Sequence, residues 1–255
     1  SSDVCSSDLN ISIDNPAAEV YDATGKYVMP GGIDPHTHIY LPFMGTYACD
    51  DYETASIAAL CGGTTTVIDF TVPGAEETPL DALNAWWEKA RGISCCDYSF
   101  HTAVTHWDDA FEEDMRKVVE MGFPSMKVFL AYKNALNVDD EGVYRCMVLA
   151  KDMGAVVGAH AENAEVVNSL QEKFISEGKT GPEWHERSRP DSVEADGTNH
   201  FCAFAEVTGA KAYIVHLSCE RALKNAVNAK LNGTDMTIEA VLPHLLLDYT
   251  YAELP

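Results

Sequence analysis

Two histidines stand one residue apart in Met29-Pro30-Gly31-Gly32-Ile33-Asp34-Pro35-His36-Thr37-His38. On an extended strand, side chains two apart point to the same face. His36 and His38 can therefore offer two imidazoles to one metal ion, and imidazole is the commonest biological metal ligand. Two further histidines close apolar runs, Ala155-Val156-Val157-Gly158-Ala159-His160 and Tyr213-Ile214-Val215-His216. Alone, either reads as a structural histidine; placed with His36 and His38 at the strand ends of one barrel, they converge on one mouth. Lys127 lies inside the apolar stretch Ser125-Met126-Lys127-Val128-Phe129-Leu130-Ala131. A buried ammonium is costly unless paired or neutralised. One reading is a lysine that snorkels to the surface, which the flanking Val128-Phe129-Leu130 makes awkward. The other is a neutral amine that has reacted with carbon dioxide, giving a carbamate able to bridge two metals; burial lowers the lysine pKa as that reaction requires. His101, His106, His185, His200 and His244 fit no such pattern and are read as structural or surface residues.

These groups need a scaffold that brings strand ends together. From Tyr21 onward, short β-branched runs alternate with longer stretches of helical period. The expected strands are 32–38, 64–70, 98–105, 125–131, 155–160, 212–218 and 235–241. The expected helices are 51–61, 78–92, 110–121, 139–153, 164–178, 192–208 and 220–232. Seven strand-then-helix steps predict an α/β fold, an incomplete TIM (β/α)8-type barrel with about seven of its eight strands. An open doubly wound sheet also alternates in this way. However, His38, Lys127, His160 and His216 fall in or at the ends of strands, where a barrel presents its chemistry. No Gly-x-Gly-x-x-Gly follows the first strand, so a dinucleotide site has no support.

Composition narrows the partners. Asp and Glu number 40 against 17 Lys and Arg, a formal charge of −23. That balance argues against nucleic acid, whose binding rests on counterion release by basic residues, and against anionic membranes. No apolar run approaches the ~20 residues of a membrane helix. The eight cysteines include no C-x-x-C pair; they are read as reduced thiols of a cytoplasmic protein whose core needs no disulfide staple. Residues 1–9 repeat Ser-Ser-Asp without strand or helix period and are read as a non-native leader.

The stretch from Ala23 to Leu247 resembles the dihydropyrimidinases and hydantoinases of the amidohydrolase superfamily. The resemblance rests on the Pro-Gly-Gly-Ile-Asp-Pro-His-Thr-His start, Leu-Pro-Phe-Met-Gly (41–45) and Gly-Gly-Thr-Thr (62–65). It extends through Lys-Val-Phe-Leu-Ala-Tyr (127–132), His-Ala-Glu-Asn (160–163), Ser-Arg-Pro (188–190) and His-Leu-Ser (216–218), in order along nearly the whole chain. It implies hydrolysis of the ring amide of dihydropyrimidines or 5-substituted hydantoins to N-carbamoyl amino acids. By the resemblance, His36 and His38 would bind one metal, His160 and His216 the second, and N6-carboxylated Lys127 would bridge them. The ions would be divalent, zinc by default, with manganese or cobalt also suited to such a site. Tyr132 would bond the substrate and the oxyanion, Phe129 would shape the pocket, and residues 39–51, including Leu41 and Phe43, would form a loop over the substrate. Asp69 and Glu162 lie near the mouth and are expected in supporting hydrogen bonds.

In the family, an aspartate at the end of the eighth strand serves as ligand and general base, and the expectation here is that it lies beyond the chain end. The fragment alone is then expected to be inactive. Residues 10–28 are read as a remnant of a small β-sandwich, residues 29–255 as the barrel, and a homotetramer follows from the resemblance alone. The alternatives are another cyclic amidase, such as an allantoinase or dihydroorotase, or a non-catalytic scaffold of the same fold. The apolar Leu41–Met44 stretch favours a small neutral cyclic amide or imide over a carboxylated ring.

Overall fold

The structure, a computed structural model, describes residues 16–17, 19–43 and 45–253. The chain divides into two compact units, Ser1–Gly31 and Gly32–Pro255. In the first, the described residues carry a turn in which Asp22 accepts from the Thr24 N–H and Ala23 accepts from the Lys26 N–H. No strand occurs among them. The leader expected over 1–9 lies outside the described residues, as do residues 10–15 and 18 of the stretch read as a β-sandwich remnant.

The second unit alternates strand and helix throughout. In chain order its elements are β1 (Gly32–Thr37), β2 (Pro42–Phe43), β3 (Thr46–Tyr47), α1 (Tyr52–Cys61), β4 (Thr64–Thr71), α2 (Pro79–Ala90), β5 (Asp97–Ala103) and α3 (Asp109–Glu120). There follow β6 (Ser125–Phe129), α4 (Asp140–Met153), β7 (Val156–His160), α5 (Ala164–Ser176), α6 (Glu183–Arg187), α7 (Asp191–Thr208), β8 (Lys211–Ile214), α8 (Glu220–Leu231) and β9 (Met236–Ile238). Two short 3-10 segments, Leu242–Leu245 and Tyr249–Glu253, come last. Local chemistry explains the boundaries. Asp51 with Thr54, and Thr78 with Asp81, form reciprocal capping boxes that satisfy the first amides of α1 and α2. Asp108, Asp139 and Asn163 cap α3, α4 and α5. Helix α4 stops at Gly154, whose φ of 71° is left-handed and costs glycine nothing.

Seven strands form one parallel sheet in the order β1-β4-β5-β6-β7-β8-β9. This is an incomplete TIM-type barrel, as the alternation predicts, with β1 and β9 at its edges. Alternation divides each strand between two environments. Met126 and Val128 of β6 join the core beneath the helices, where the Cys146 thiol of α4 lies 3.6 Å from the Met126 sulfur. Ser125, Lys127 and Phe129 take the opposite, inner face. Leu83, Met115, Met147 and Phe201 fill the helix-to-sheet layer. The seven described cysteines are all free.

The expected strands overreach at their C-terminal ends. The run 125–131 is paired only to Phe129, and 212–218 only to Ile214. Beyond those points the backbone turns across the mouth, with Tyr132 at φ 60° and His216 at φ 36°. The stretch 39–51 is not a plain loop, since β2 and β3 pair antiparallel as a minimal hairpin. Two-residue strands are too short for alternation to reveal. Met44, at its tip, lies outside the described residues.

Candidate active site

The inner face of the barrel carries the predicted site residues to one place. Thr37 of β1 pairs beside Asp69 of β4, and Phe129 of β6 beside His160 of β7. Parallel register therefore aligns the strand ends, and with them the side chains that point inward. Phe70 forms the floor. Its ring lies 4.8 Å from the His36 ring, 4.9 Å from His38 and 4.7 Å from His101.

On that floor His36 and His38 stand 5.2 Å apart by ring centroids, and His36 and His216 5.5 Å apart. His160 and His216 are 4.7 Å apart, with His160 Nδ1 3.1 Å from His216 Nε2. Lys127 Nζ lies 3.1 Å from His36 Nε2, and 4.4 Å from the Phe70 ring centre. Lys127 is only 2% exposed. The cavity above these groups measures about 530 Å³, and Leu41, Pro42, Phe43, Phe129 and Tyr132 contribute its largely apolar wall. The Tyr132 ring packs 4.9 Å from His160 and 5.6 Å from Phe43. All nine residues singled out from the sequence thus line one cavity.

Burial sets the protonation of this cluster. It pushes the Lys127 amine down to about 7, against a smaller opposing pull from Glu239. It pushes the His216 imidazole down to about 2, helped by the neighbouring His160, Lys127 and His36. Burial also raises the Tyr132 phenol, with Glu162 adding to the effect. At neutral pH the site therefore presents a neutral imidazole at His216, an amine free to lose its proton, and a phenol that keeps its own.

Hydrogen bonds around the rings select their tautomers. Glu162 accepts from His160 Nε2 at 2.5 Å, which leaves the His160 Nδ1 lone pair facing inward. Arg189 approaches the other Glu162 oxygen at 3.4 Å. Glu162 therefore fills the supporting place expected of it, and the Ser188-Arg189-Pro190 motif supplies its partner. Helix α7 can lie against this segment only because Gly197 has no side chain. A Cβ there would meet the Ala161 carbonyl carbon at 2.5 Å and the Glu162 nitrogen at 2.6 Å. Asp69 faces away from the rings; it accepts from the Tyr52 hydroxyl at 2.5 Å and from the Ile39 N–H at 3.1 Å. It thereby holds the backbone immediately after His38. His101, read as structural, spans three strands, with its ring nitrogens 2.6 Å from Ser125 Oγ and 2.8 Å from the Pro35 carbonyl. Sequence reading passed over Glu239, which follows β9 and binds His36 Nδ1 at 2.9 Å. A lone glutamate after a three-residue strand carries no local signal of that role.

Among the described residues, no three His, Cys, Asp or Glu side chains form a closed metal site by themselves. The imidazoles stand as two pairs, His36 with His38 and His160 with His216, and the Lys127 amine lies beside His36. Imidazole nitrogens grouped in this way suit divalent metal ions as a class.

The profile of the amidohydrolase family matches residues 27–246. A D-hydantoinase of Geobacillus stearothermophilus is 42% identical over 244 residues, covering 95% of this chain and 52% of that protein. A dihydropyrimidinase of Rattus norvegicus is 39% identical over 232 residues, covering 91% of this chain and 45% of that one. Among solved structures, a D-hydantoinase (dihydropyrimidinase) from Thermus sp. superposes with a TM-score of 0.92 at 55% identity, over 94% of this chain and 52% of the other. The chain spans about half the length of the curated relatives it matches.

Proposed function

The chain belongs to the amidohydrolase family, whose members are in general metal-dependent, and on that premise we propose that it forms the catalytic barrel of a cyclic amidohydrolase. The reaction is hydrolysis of the ring amide of dihydropyrimidines or 5-substituted hydantoins. The observation that carries this reading is the convergence of four histidines on a lysine that is 2% exposed. A lysine held in that position has no structural benefit large enough to offset its desolvation.

His36 with His38, and His160 with His216, would hold two divalent ions, zinc by the imidazole-rich donor set, with carboxylated Lys127 between them. Such ions, when bound, lower the pKa of water and polarise the scissile carbonyl. The chain's own residues prepare the rest. The Lys127 amine, held near 7 by burial, is free to attack carbon dioxide. Its nitrogen forms the new C–N bond and releases one proton, leaving the anionic carbamate. Tyr132 stays protonated because burial raises its phenol, so it can donate a hydrogen bond to the oxygen that gains charge as the carbonyl is attacked. Leu41, Phe43 and Phe129 exclude water and suit a neutral ring.

That apolar wall weighs against a dihydroorotase, whose substrate carries a carboxylate. The neighbouring cation Arg189 is paired with Glu162. A non-catalytic scaffold would have no physical reason to retain a buried amine beside four imidazoles. Assembly as a homotetramer and a cytoplasmic location belong to the same proposal. Among the described residues, no helix is long and apolar enough to cross a membrane.

The test is metal content and intact mass of the Lys127 peptide, combined with turnover of dihydrouracil and hydantoin by the intact protein. About two ions per chain, a carbon dioxide adduct on Lys127 and turnover of either ring are expected. A protein free of metal, with unmodified Lys127 and no turnover after zinc and bicarbonate are supplied, would overturn the proposal.

A further inference from the structure

Glu239 lies just past β9, at the opposite edge of the sheet from β1, which carries His36. Its carboxylate joins three groups. Oε1 accepts from His36 Nδ1 at 2.9 Å and from the backbone N–H of His216 at 2.8 Å, and Oε2 accepts from the Tyr213 hydroxyl. The side chains of His36 and Glu239 are 9% and 10% exposed, so the contact is sheltered from water.

Oε1 already receives the His216 backbone N–H, an obligate donor, and Oε2 the Tyr213 hydroxyl, so toward His36 the carboxylate acts as an acceptor. His36 must therefore carry a proton on Nδ1, and its Nε2 is left to face Lys127 Nζ at 3.1 Å. Glu162 does the reverse for His160, binding Nε2 and freeing Nδ1. The two carboxylates thus aim different nitrogens at the same centre. Glu239 does more than Glu162, because its Oε1 grips an imidazole from one edge of the sheet and the backbone of a residue near the other edge.

We propose that Glu239 is a positioning residue that sets the tautomer and ring plane of His36, so that its Nε2 faces Lys127, and ties it to the backbone of His216. Its consequence for metal affinity rests on the dinuclear reading above; its effect on the His36 tautomer does not.

The experiment compares wild type, Glu239→Ala, Glu239→Gln and Tyr213→Phe in the intact protein. Nitrogen-15 NMR of histidine-labelled, metal-free protein reads the His36 tautomer, and chelator competition reads zinc affinity. Wild type should show a fixed Nδ1–H tautomer that Glu239→Ala converts to a mixture. Zinc affinity should fall roughly 10- to 100-fold in Glu239→Ala, the usual effect of removing such a partner, and roughly threefold or more in Glu239→Gln, which keeps an acceptor oxygen. Tyr213→Phe leaves the His36 and His216 bonds in place and should change zinc affinity less than Glu239→Gln does. A retained Nδ1–H tautomer in Glu239→Ala overturns the proposal. So does zinc affinity within twofold of wild type in both Glu239 variants, or an equal loss in Tyr213→Phe, which would mark a general loosening. If Glu239→Ala fails to fold, Glu239→Gln carries the affinity readout, and Glu239→Leu, which offers no acceptor, carries the tautomer readout. If wild type takes up no zinc, the dinuclear reading fails, and the tautomer measurement still decides the role of Glu239.

Discussion

Replacing Lys127 by methionine removes a buried amine while keeping an unbranched chain of similar length beside Phe70 and Phe129. Burial depresses this amine from 10.5 to about 7. At 1.36 kcal/mol per pH unit, that difference makes charging Lys127 in the folded protein cost about 5 kcal/mol more than in the unfolded chain. For a base depressed in the folded state, the full cost applies below pH 7. Between pH 7 and 10.5 the cost shrinks by about 1.4 kcal/mol per unit, and above 10.5 it vanishes. The hydrogen bond to His36 Nε2 returns roughly 1 kcal/mol of it. Metal-free Lys127→Met should therefore be several kcal/mol more stable than wild type at pH 6, with the advantage nearly gone by pH 10. Urea unfolding of both proteins across this range, with metal removed and carbon dioxide excluded, measures the difference, in which titrations not coupled to Lys127 cancel. A difference that stays flat from pH 6 to 10 would refute the claim that this amine is desolvated. The same variant should also lose bicarbonate-dependent zinc uptake.

Three further outcomes follow from neighbouring contacts. Asp69, 1% exposed, is raised from 3.8 to about 6, chiefly by burial. Its protonated form is thus favoured by the fold, and about 3 kcal/mol of stability present below pH 3.8 is lost as pH rises through 6; Asp69→Asn should flatten that slope in a melting series from pH 4 to 7. Gly197→Ala would force a methyl group into the Ala161–Glu162 backbone, so a loss of about 1–3 kcal/mol in urea unfolding is expected, and an unchanged midpoint would contradict the close approach. Tyr132→Phe should lower kcat for ring opening by roughly 100- to 1,000-fold with little change in metal content, the effect of losing one oxyanion donor; an unchanged kcat would remove Tyr132 from the reaction.

Much of the fold was legible because its signals are local. Helix starts at Asp51, Thr78 and Asp139 are capped within three residues, and the apolar runs of the strands carry their own length. The expected strand 64–70 and helix 220–232 agree with the observed 64–71 and 220–231 to within a residue. The overreach at 130–131 and 215–218 has a physical cause. Apolar composition continues past the last paired residue, because the mouth of a barrel is still partly buried. Helix α6 was missed because five residues hold too few turns for a period to register.

The site divides along the same line. The sequence alone determined which groups would meet: His36 and His38 by the two-residue period, His160 and His216 by closing apolar runs, and Lys127 by its apolar flanks. It could not say which nitrogen of each ring faces inward, that Asp69 turns outward to Tyr52, or that Arg189 is committed to Glu162. Nor could it reveal Glu239, which is 203 residues from the His36 ring it orients. Those facts depend on the register of seven strands and on how far the sheet curls before its edges approach. A hydrogen bond across that gap leaves no periodicity in the chain, because it is set by distance and direction in space, and only the folded barrel supplies both.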